Sequence, residues 1–425
     1  MITREQALAA AHRWVNGDLP QEVSRPVRSH EFDLGWVLWP EPAPVQVDPL
    51  TGERRAPEEI GAACAVVDRR SGELSVWPSV PVPEVIRLYR DRLGAGSHNP
   101  ALPPVTGPGA RAVLTYRDQL GETRTLEVEP ALGRPHPAVR GWQQLRQQGV
   151  PAEDVLGIRT ELRPWMLPGG YWAYVLGAQL PDVPVSFDLP YGPRFDHRAA
   201  DARTLAARRR AAFNRVPFPV AVAPAQPEGE QELAALLAAR FGSDGVRRFD
   251  ADAVAAADLP EAVARPLLRI GLPWTVEGFF TLHHPEADGV AEAAAPVLPD
   301  VAAHLDGLGR GRRATAAARA ALLGQLLIGT DGWALVTVDT AQGRVRAIDP
   351  DDATARWCNA DLTAFVRSLA LFADRYPRLR DLPPATAGPA VAELQWSLAA
   401  LDRTAFSDPE NWWSVIVEQL WHGVL

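Results

Sequence analysis

A histidine just ahead of a helix and two tryptophans flanking a Pro-Gly-Gly turn are the residues whose placement most invites a chemical reading. His136 lies in Gly133-Arg134-Pro135-His136-Pro137-Ala138, followed by a helical run through Trp142 and Leu145. Trp165 and Trp172 lie in Thr160-Glu161-Leu162-Arg163-Pro164-Trp165-Met166-Leu167-Pro168-Gly169-Gly170-Tyr171-Trp172. An imidazole can ligate a metal or pass a proton, whereas an indole offers a donor N–H and no lone pair. Glu161, Asp188 and His197 are the groups that could complete a site around His136. They do so only if the fold gathers them, since a lone carboxylate near a strand end is commonly solvated or bound to a turn. The plainer reading of His136 itself is a helix-start histidine. No Gly-x-Ser-x-Gly, Walker loop or His-Glu-x-x-His occurs, and the adjacent pair His283-His284 is not spaced for one face of a helix. Trp412 and Trp413 near the C-terminus have two readings: partner-contact anchors, because tryptophan is enriched at interface hot spots, or core of an amphipathic helix.

The composition narrows what surrounds these residues. At 425 residues the chain exceeds one ordinary hydrophobic core, so several domains are expected. The content is 47% hydrophobic and 22% charged, as in globular proteins, and no apolar run reaches the roughly 20 residues of a membrane-spanning helix. Met1 to Gln6 shows no basic region followed by an apolar one, which predicts residence in the cytoplasm. A formal charge of −9 excludes a general affinity for nucleic acid, whose phosphates require a basic face. Lysine is absent, so every basic side chain is arginine, and Arg208-Arg209-Arg210 reads as the solvated face of a helix. Cys64 and Cys358 are too far apart for a Cys-x-x-Cys metal knuckle and read as buried small hydrophobes. No cofactor is expected.

Pattern and punctuation divide the chain. Residues 1–94 read as a small α+β unit. Thr3 with Gln6 makes a capping box, and Ala7, Ala11, Trp14 and Val15 form a helical stripe that stops at Asn16-Gly17. Strands are expected at Phe32 to Trp39, Ala62 to Val67 and Glu73 to Trp77, with a helix from Pro83 to Leu93. Gly/Pro-rich connectors at about 94–109 and 216–230 bracket a middle domain, 110–214. Its order is a strand pair (112–116, 124–128), a helix (137–148), a strand (155–161), a helix (171–179), a strand (184–187) and a helix (197–213), which suits an α/β arrangement. Residues 231–425 form a larger α+β unit, with an alanine-rich helix from Ala314 to Leu326 and a hairpin at Thr340-Ala341-Gln342-Gly343. Asn359-Ala360-Asp361 caps a helix with Leu362, Phe365, Leu369 and Phe372 on one face.

Each segment resembles a known family. The first is similar to the YrhB-like family of small immunity-type domains through Val47-Asp48-Pro49-Leu50-Thr51-Gly52-Glu53, Val67-Asp68-Arg69-Arg70-Ser71-Gly72 and Pro78-Ser79. The middle segment, with cysteine at 165 and 172, would resemble the second zinc motif of the nucleic acid/nucleotide deaminases of bacterial polymorphic toxin systems. That resemblance implies a deaminase-like α/β sandwich in which a His-x-Glu and two cysteines hold zinc and shuttle a proton. Here His136 fits the ligand, Ala138 stands in the place of the glutamate, and Trp165 and Trp172 stand in the places of the cysteines. A degenerate, inactive site packed by two indoles is therefore expected. The last segment resembles the fourth subgroup of the SUKH superfamily of immunity proteins. The likeness rests on Val338-Asp339 to Gly343-Arg344-Val345, Ile348-Asp349-Pro350, Asn359-x-Asp361-Leu362-x-x-Phe365 and the closing run Leu401-Asp402, Phe406, Trp412-Trp413, Trp421 and Gly423.

Together the resemblances imply a non-catalytic immunity or adaptor protein of a bacterial toxin system that sequesters a toxin or another protein, with no membrane partner. The alternatives are a nucleic acid/nucleotide deaminase with an atypical site, or a pseudoenzyme adaptor that still grips a nucleotide.

Overall fold

The computed structural model describes residues 2–17, 24–41, 46–47, 54–55, 64–69, 72–77, 80–92, 99, 101–217, 222–284 and 296–425. Two compact units emerge, Met1–Gly96 and Ser97–Leu425. Their architecture is α+β and multidomain.

In the first unit an antiparallel sheet runs in the order Val27–Phe32, Gly35–Pro40, Cys64–Asp68, Leu74–Trp77. The expected single strand from Phe32 to Trp39 is two strands, because Asp33 and Leu34 turn the chain before Gly35. The period of two sends Trp36 and Leu38 to one face, where they meet Ala7 and Ala11 of the helix Arg4–Asn16, and Val37 to the other, where it meets Val85 and Tyr89. The helix Arg4–Asn16 opens on the capping box of Thr3 and Gln6 and ends at Gly17. Asp48 to Glu53, Arg70, Ser71, Pro78 and Ser79, which carry part of the YrhB-like resemblance, lie outside the described residues.

The second unit holds two larger sheets and the short antiparallel pair Val246–Arg247 with Leu272–Pro273. The first has the order Val185–Leu189, Val155–Leu162, Ala112–Arg117, Thr123–Val128, with only the first pair parallel. The helix Pro137–Gln147 packs on it through Ala138, Val139, Trp142 and Leu145. The last helix of this region spans Phe195–Arg208 and stops short of the expected Phe213, because Arg210 turns left-handed (φ 50°) and Asn214 bridges back to Val105. Arg209 is accordingly no solvated helix face: its guanidinium pairs with Glu161.

The second sheet is antiparallel, in the order Thr275–Val276, Phe280–Leu282, Gln325–Thr330, Leu335–Asp339, Val345–Ile348, Ala355–Asn359. The alanine-rich run makes a helix only over Ala316–Ala320, since Gly324 (φ 71°) turns the chain and Gln325 enters a strand. Gln325 is held there by the buried Thr337 hydroxyl, which donates to its Oε1 at 2.9 Å. Leu362, Phe365, Leu369 and Phe372 of the helix Leu362–Arg375 are all fully buried. Its N-cap is Asp361, whose carboxylate accepts from the Ala364 N–H at 2.7 Å. Asp361→Ala should cost about 1 kcal/mol of unfolding free energy in urea titration, and Asp361→Asn only a few tenths.

The 94–109 segment is more than a connector where it is described. The Gly107 N–H donates to the Trp421 carbonyl at 2.7 Å and the Gly109 N–H to that of His422 at 3.1 Å. Gly109 is required by two constraints at once: φ is 68°, and a Cβ would lie 2.3 Å from the Gly423 carbonyl oxygen. Thus the entry to the first sheet region is bound to the C-terminal helix Trp412–His422, more than 300 residues later in the chain.

Candidate functional site

His136 is the N-cap of the helix Pro137–Gln147, with Pro137 at the first helical position. Its Nδ1 accepts from the Ala138 N–H at 3.2 Å, and the ring is buried. Burial first, and the Arg140 charge second, push the imidazole down from its ordinary value to about 3, so it is neutral at physiological pH. The Trp165 ring meets it edge-on at 5.3 Å, and the Trp172 ring lies tilted at 6.2 Å. The fold thus brings His136, Trp165 and Trp172 together, with Ala138 fully buried beside them.

The turn that delivers the tryptophans is held from both ends. Trp165 follows the strand Val155–Leu162 and packs on Tyr191 at 4.9 Å. Tyr171 adopts a left-handed conformation (φ 46°), so the next helix begins at Trp172. Left-handed backbone is costly for a bulky residue and persists where its surroundings hold it. The Tyr171 hydroxyl donates to Asp331 Oδ2 at 2.7 Å, and Asp331 Oδ2 also accepts from Trp412 Nε1 at 2.8 Å. Burial raises the Asp331 pKa against the opposing effect of those donors.

This cluster does not fit zinc. A tetrahedral site takes three protein ligands with lone pairs. Here Nδ1 of His136 already accepts from a backbone N–H, so the neutral ring carries its hydrogen on Nε2, and the two indoles present hydrogens as well. His136 Nε2, Trp165 Nε1 and Trp172 Nε1 are all buried without a hydrogen-bond partner among the described residues. The cavity beside His136 and Trp165 measures about 10 Å³, at the lower limit for one water molecule. The other groups proposed for the site are engaged elsewhere. Glu161 accepts from the Arg111 N–H at 2.8 Å and pairs with Arg209, Asp188 pairs with Arg159 at 2.9 Å, and His197 is exposed. His283 faces His304 edge-on at 5.4 Å, and His284 lies on Trp274. Among the described residues no three His, Cys, Asp or Glu gather where they could hold a metal ion. Cys64 and Cys358 are buried, as expected of small hydrophobes.

Trp412 and Trp413 correct the partner-anchor reading. Both are fully buried, Trp412 bound to Asp331 and Trp413 donating to Asn359 Oδ1 at 2.9 Å, so neither offers surface to a partner. Every residue of the helix Trp412–His422 is buried. Its polar side chains reach the first sheet region. Glu418 pairs with Arg198 at 2.7 Å, both side chains wholly buried, and Arg198 also contacts Glu410 at 3.2 Å. Gln419 donates to the Pro168 carbonyl at 2.7 Å, and the Tyr191 hydroxyl meets His422 Nδ1 at 2.8 Å. Burial opposes the charge on Arg198, but Glu418 and Glu410 outweigh it and hold the guanidinium protonated. The sequence predicts none of these contacts, although it carries a signal: Glu418 and Gln419 interrupt an otherwise apolar run from Val415 to Trp421, and His422 follows it. A charge in a helix that is apolar all round calls for a buried partner.

His136 has a measurable consequence. Below its ordinary pKa of about 6.5 the unfolded chain binds a proton that the folded chain refuses until about pH 3, so stability falls as pH drops through that window. By pH 5 the loss from this group should be about 2 kcal/mol. Burial lowers the His422 pKa too, adding in the same direction. Thermal unfolding between pH 8 and 5 should show the decline, and His136→Asn, which keeps a capping oxygen without a titrating ring, should make it shallower and leave the His422 contribution.

Three successive parts of the chain are similar to immunity-type and deaminase families. Residues 5–97 match the immunity protein 35-like domain, residues 107–208 the Xanthomonas-like deaminase, and residues 233–419 the SUKH-4 immunity protein. These matches follow the layout that the three resemblances implied. No curated protein and no solved structure matches the chain. Among the described residues no helix is long and apolar enough to cross a membrane.

Proposed function

We propose that this chain is a non-catalytic binding protein of a bacterial toxin system, an immunity or adaptor protein that sequesters a protein toxin in the cytoplasm. The match of residues 233–419 to the SUKH-4 immunity protein carries the reading. In it the chain is divided as 1–94, 110–214 and 231–425, and the deaminase-like segment has exchanged catalysis for structure. His136, Ala138, Trp165 and Trp172 mark the former centre, where a donor set of one imidazole and two indoles supports the loss of zinc. The ion pair of Arg198 and Glu418 supports a structural role, because it joins this segment to the last helix of the immunity-type segment.

The net charge of −9 favours a basic target by steering its approach rather than by fixing the interface. Co-expression with toxin domains encoded beside it should rescue bacterial growth from one of them, and His136→Ala should rescue as well as the natural chain. Failure to rescue from any of them would overturn the reading. Rescue lost in H136A would favour the atypical deaminase.

A further inference from the structure

A cleft of about 440 Å³ opens where the deaminase-like segment meets the immunity-type segment, and of the cluster around His136 it shares only the Trp172 ring. Its volume lies within the range of small-molecule pockets. Three guanidiniums line it: Arg134 from the loop before His136, Arg240 from the helix Glu230–Phe241, and Arg380. Arg134 is paired with Asp381 at 3.0 Å, and Arg240 donates to the Ala373 carbonyl. Arg380 is exposed, and its charge acts on the neighbouring Asp381, which is already paired with Arg134. Glu277 is the one carboxylate in the lining, so the cleft is cationic within an acidic chain.

Three half-buried aromatic rings, Trp172, Phe241 and Tyr376, also line it, beside the buried rings of Phe279 and Phe372. Tyr376 is itself stacked on Phe372, with centroids 5.0 Å apart and planes 16° apart, and Phe279 meets it edge-on at 4.9 Å. The rings are therefore braced in place before any ligand arrives. A flat ring gains by stacking on such a surface, and an adjacent anionic group gains from planar guanidiniums held in a partly dry site. Distant acidic charges oppose an anion only weakly, since screening cuts their reach to roughly 8 Å at physiological salt.

We propose that this cleft binds a small planar aromatic ring carrying a phosphate or carboxylate, the ring against Trp172 and Tyr376 and the anion at Arg380 and Arg240. The site is built from both segments, so it exists only in the joined molecule. It goes beyond toxin sequestration and does not rest on it.

Calorimetric titration of the full chain distinguishes the two sources of such a ligand. The probes are the four ribonucleoside 5′-monophosphates and indole-3-acetate, with inorganic phosphate and adenosine as the isolated halves. At least one intact probe should bind saturably, and each half should bind at least about tenfold more weakly. Arg380→Ala, at an exposed position, should weaken binding about tenfold while leaving the thermal transition in place. Tyr376→Phe should retain binding because it keeps the ring. No saturable binding of any intact probe at millimolar concentration would overturn the proposal, as would phosphate binding as tightly as the best probe, or affinity unchanged in R380A.

Discussion

Arg198→Ala should be among the most destabilising single changes in the second unit, at about 3–5 kcal/mol in urea-induced unfolding. The Arg198 guanidinium contacts Glu418 at 2.7 Å with neither side chain reaching solvent, and removal strands the Glu418 carboxylate in the interior. Burial already pushes the Glu418 pKa up, with Arg198 as the largest opposing influence, so loss of the arginine leaves only the weaker effect of Arg215 against the penalty of burial. The sign of the double change separates penalty from contribution. Replacing both groups by apolar residues, Arg198→Met with Glu418→Leu, removes the stranded charge and should recover most of the loss. If R198A unfolds at the natural urea midpoint, the pair does not join the segments energetically.

Trp412→Ala should be comparably damaging, again about 3–5 kcal/mol, because it empties a fully buried indole site. It also removes a donor from Asp331, which is left with Tyr171 and the backbone N–H groups of Trp333 and Ala334. Trp412→Phe keeps most of the volume and loses the N–H, and should cost about 1–3 kcal/mol. The same variant tests the burial of this residue against the anchor reading: affinity for the protein partner proposed above should be unchanged in W412F, as Trp412 has no exposed surface. A large affinity loss with little loss of stability would place Trp412 in the interface instead.

What the amino-acid order reveals here is local. Leu362, Phe365, Leu369 and Phe372 are legible as a buried stripe because helical spacing alone puts them on one face, and Asp361 is legible as its cap. The turn through Pro168-Gly169-Gly170 is legible for the same kind of reason, since its residue types match its backbone. The alanine-rich run was misleading because alanine reports helix propensity, while Gly324 and the buried pairing of Gln325 with Thr337 decide where the helix ends. Trp412 and Trp413 were ambiguous because an apolar face does not say what covers it. Arg198 and Glu418 lie 220 residues apart, and only the fold pairs them. The candidate site was legible as a set of residues, since His136, Trp165 and Trp172 do meet. Its surroundings were not, because Tyr191, Asp331 and His422 reach it from other elements.

The central claim is that the deaminase-like segment acts as structure rather than as a catalyst. Its most direct test is the zinc content of the purified full chain, measured by inductively coupled plasma mass spectrometry after dialysis against metal-free buffer. The account predicts far less than one zinc per chain, unaltered by His136→Ala; stoichiometric zinc that is lost in H136A would contradict it.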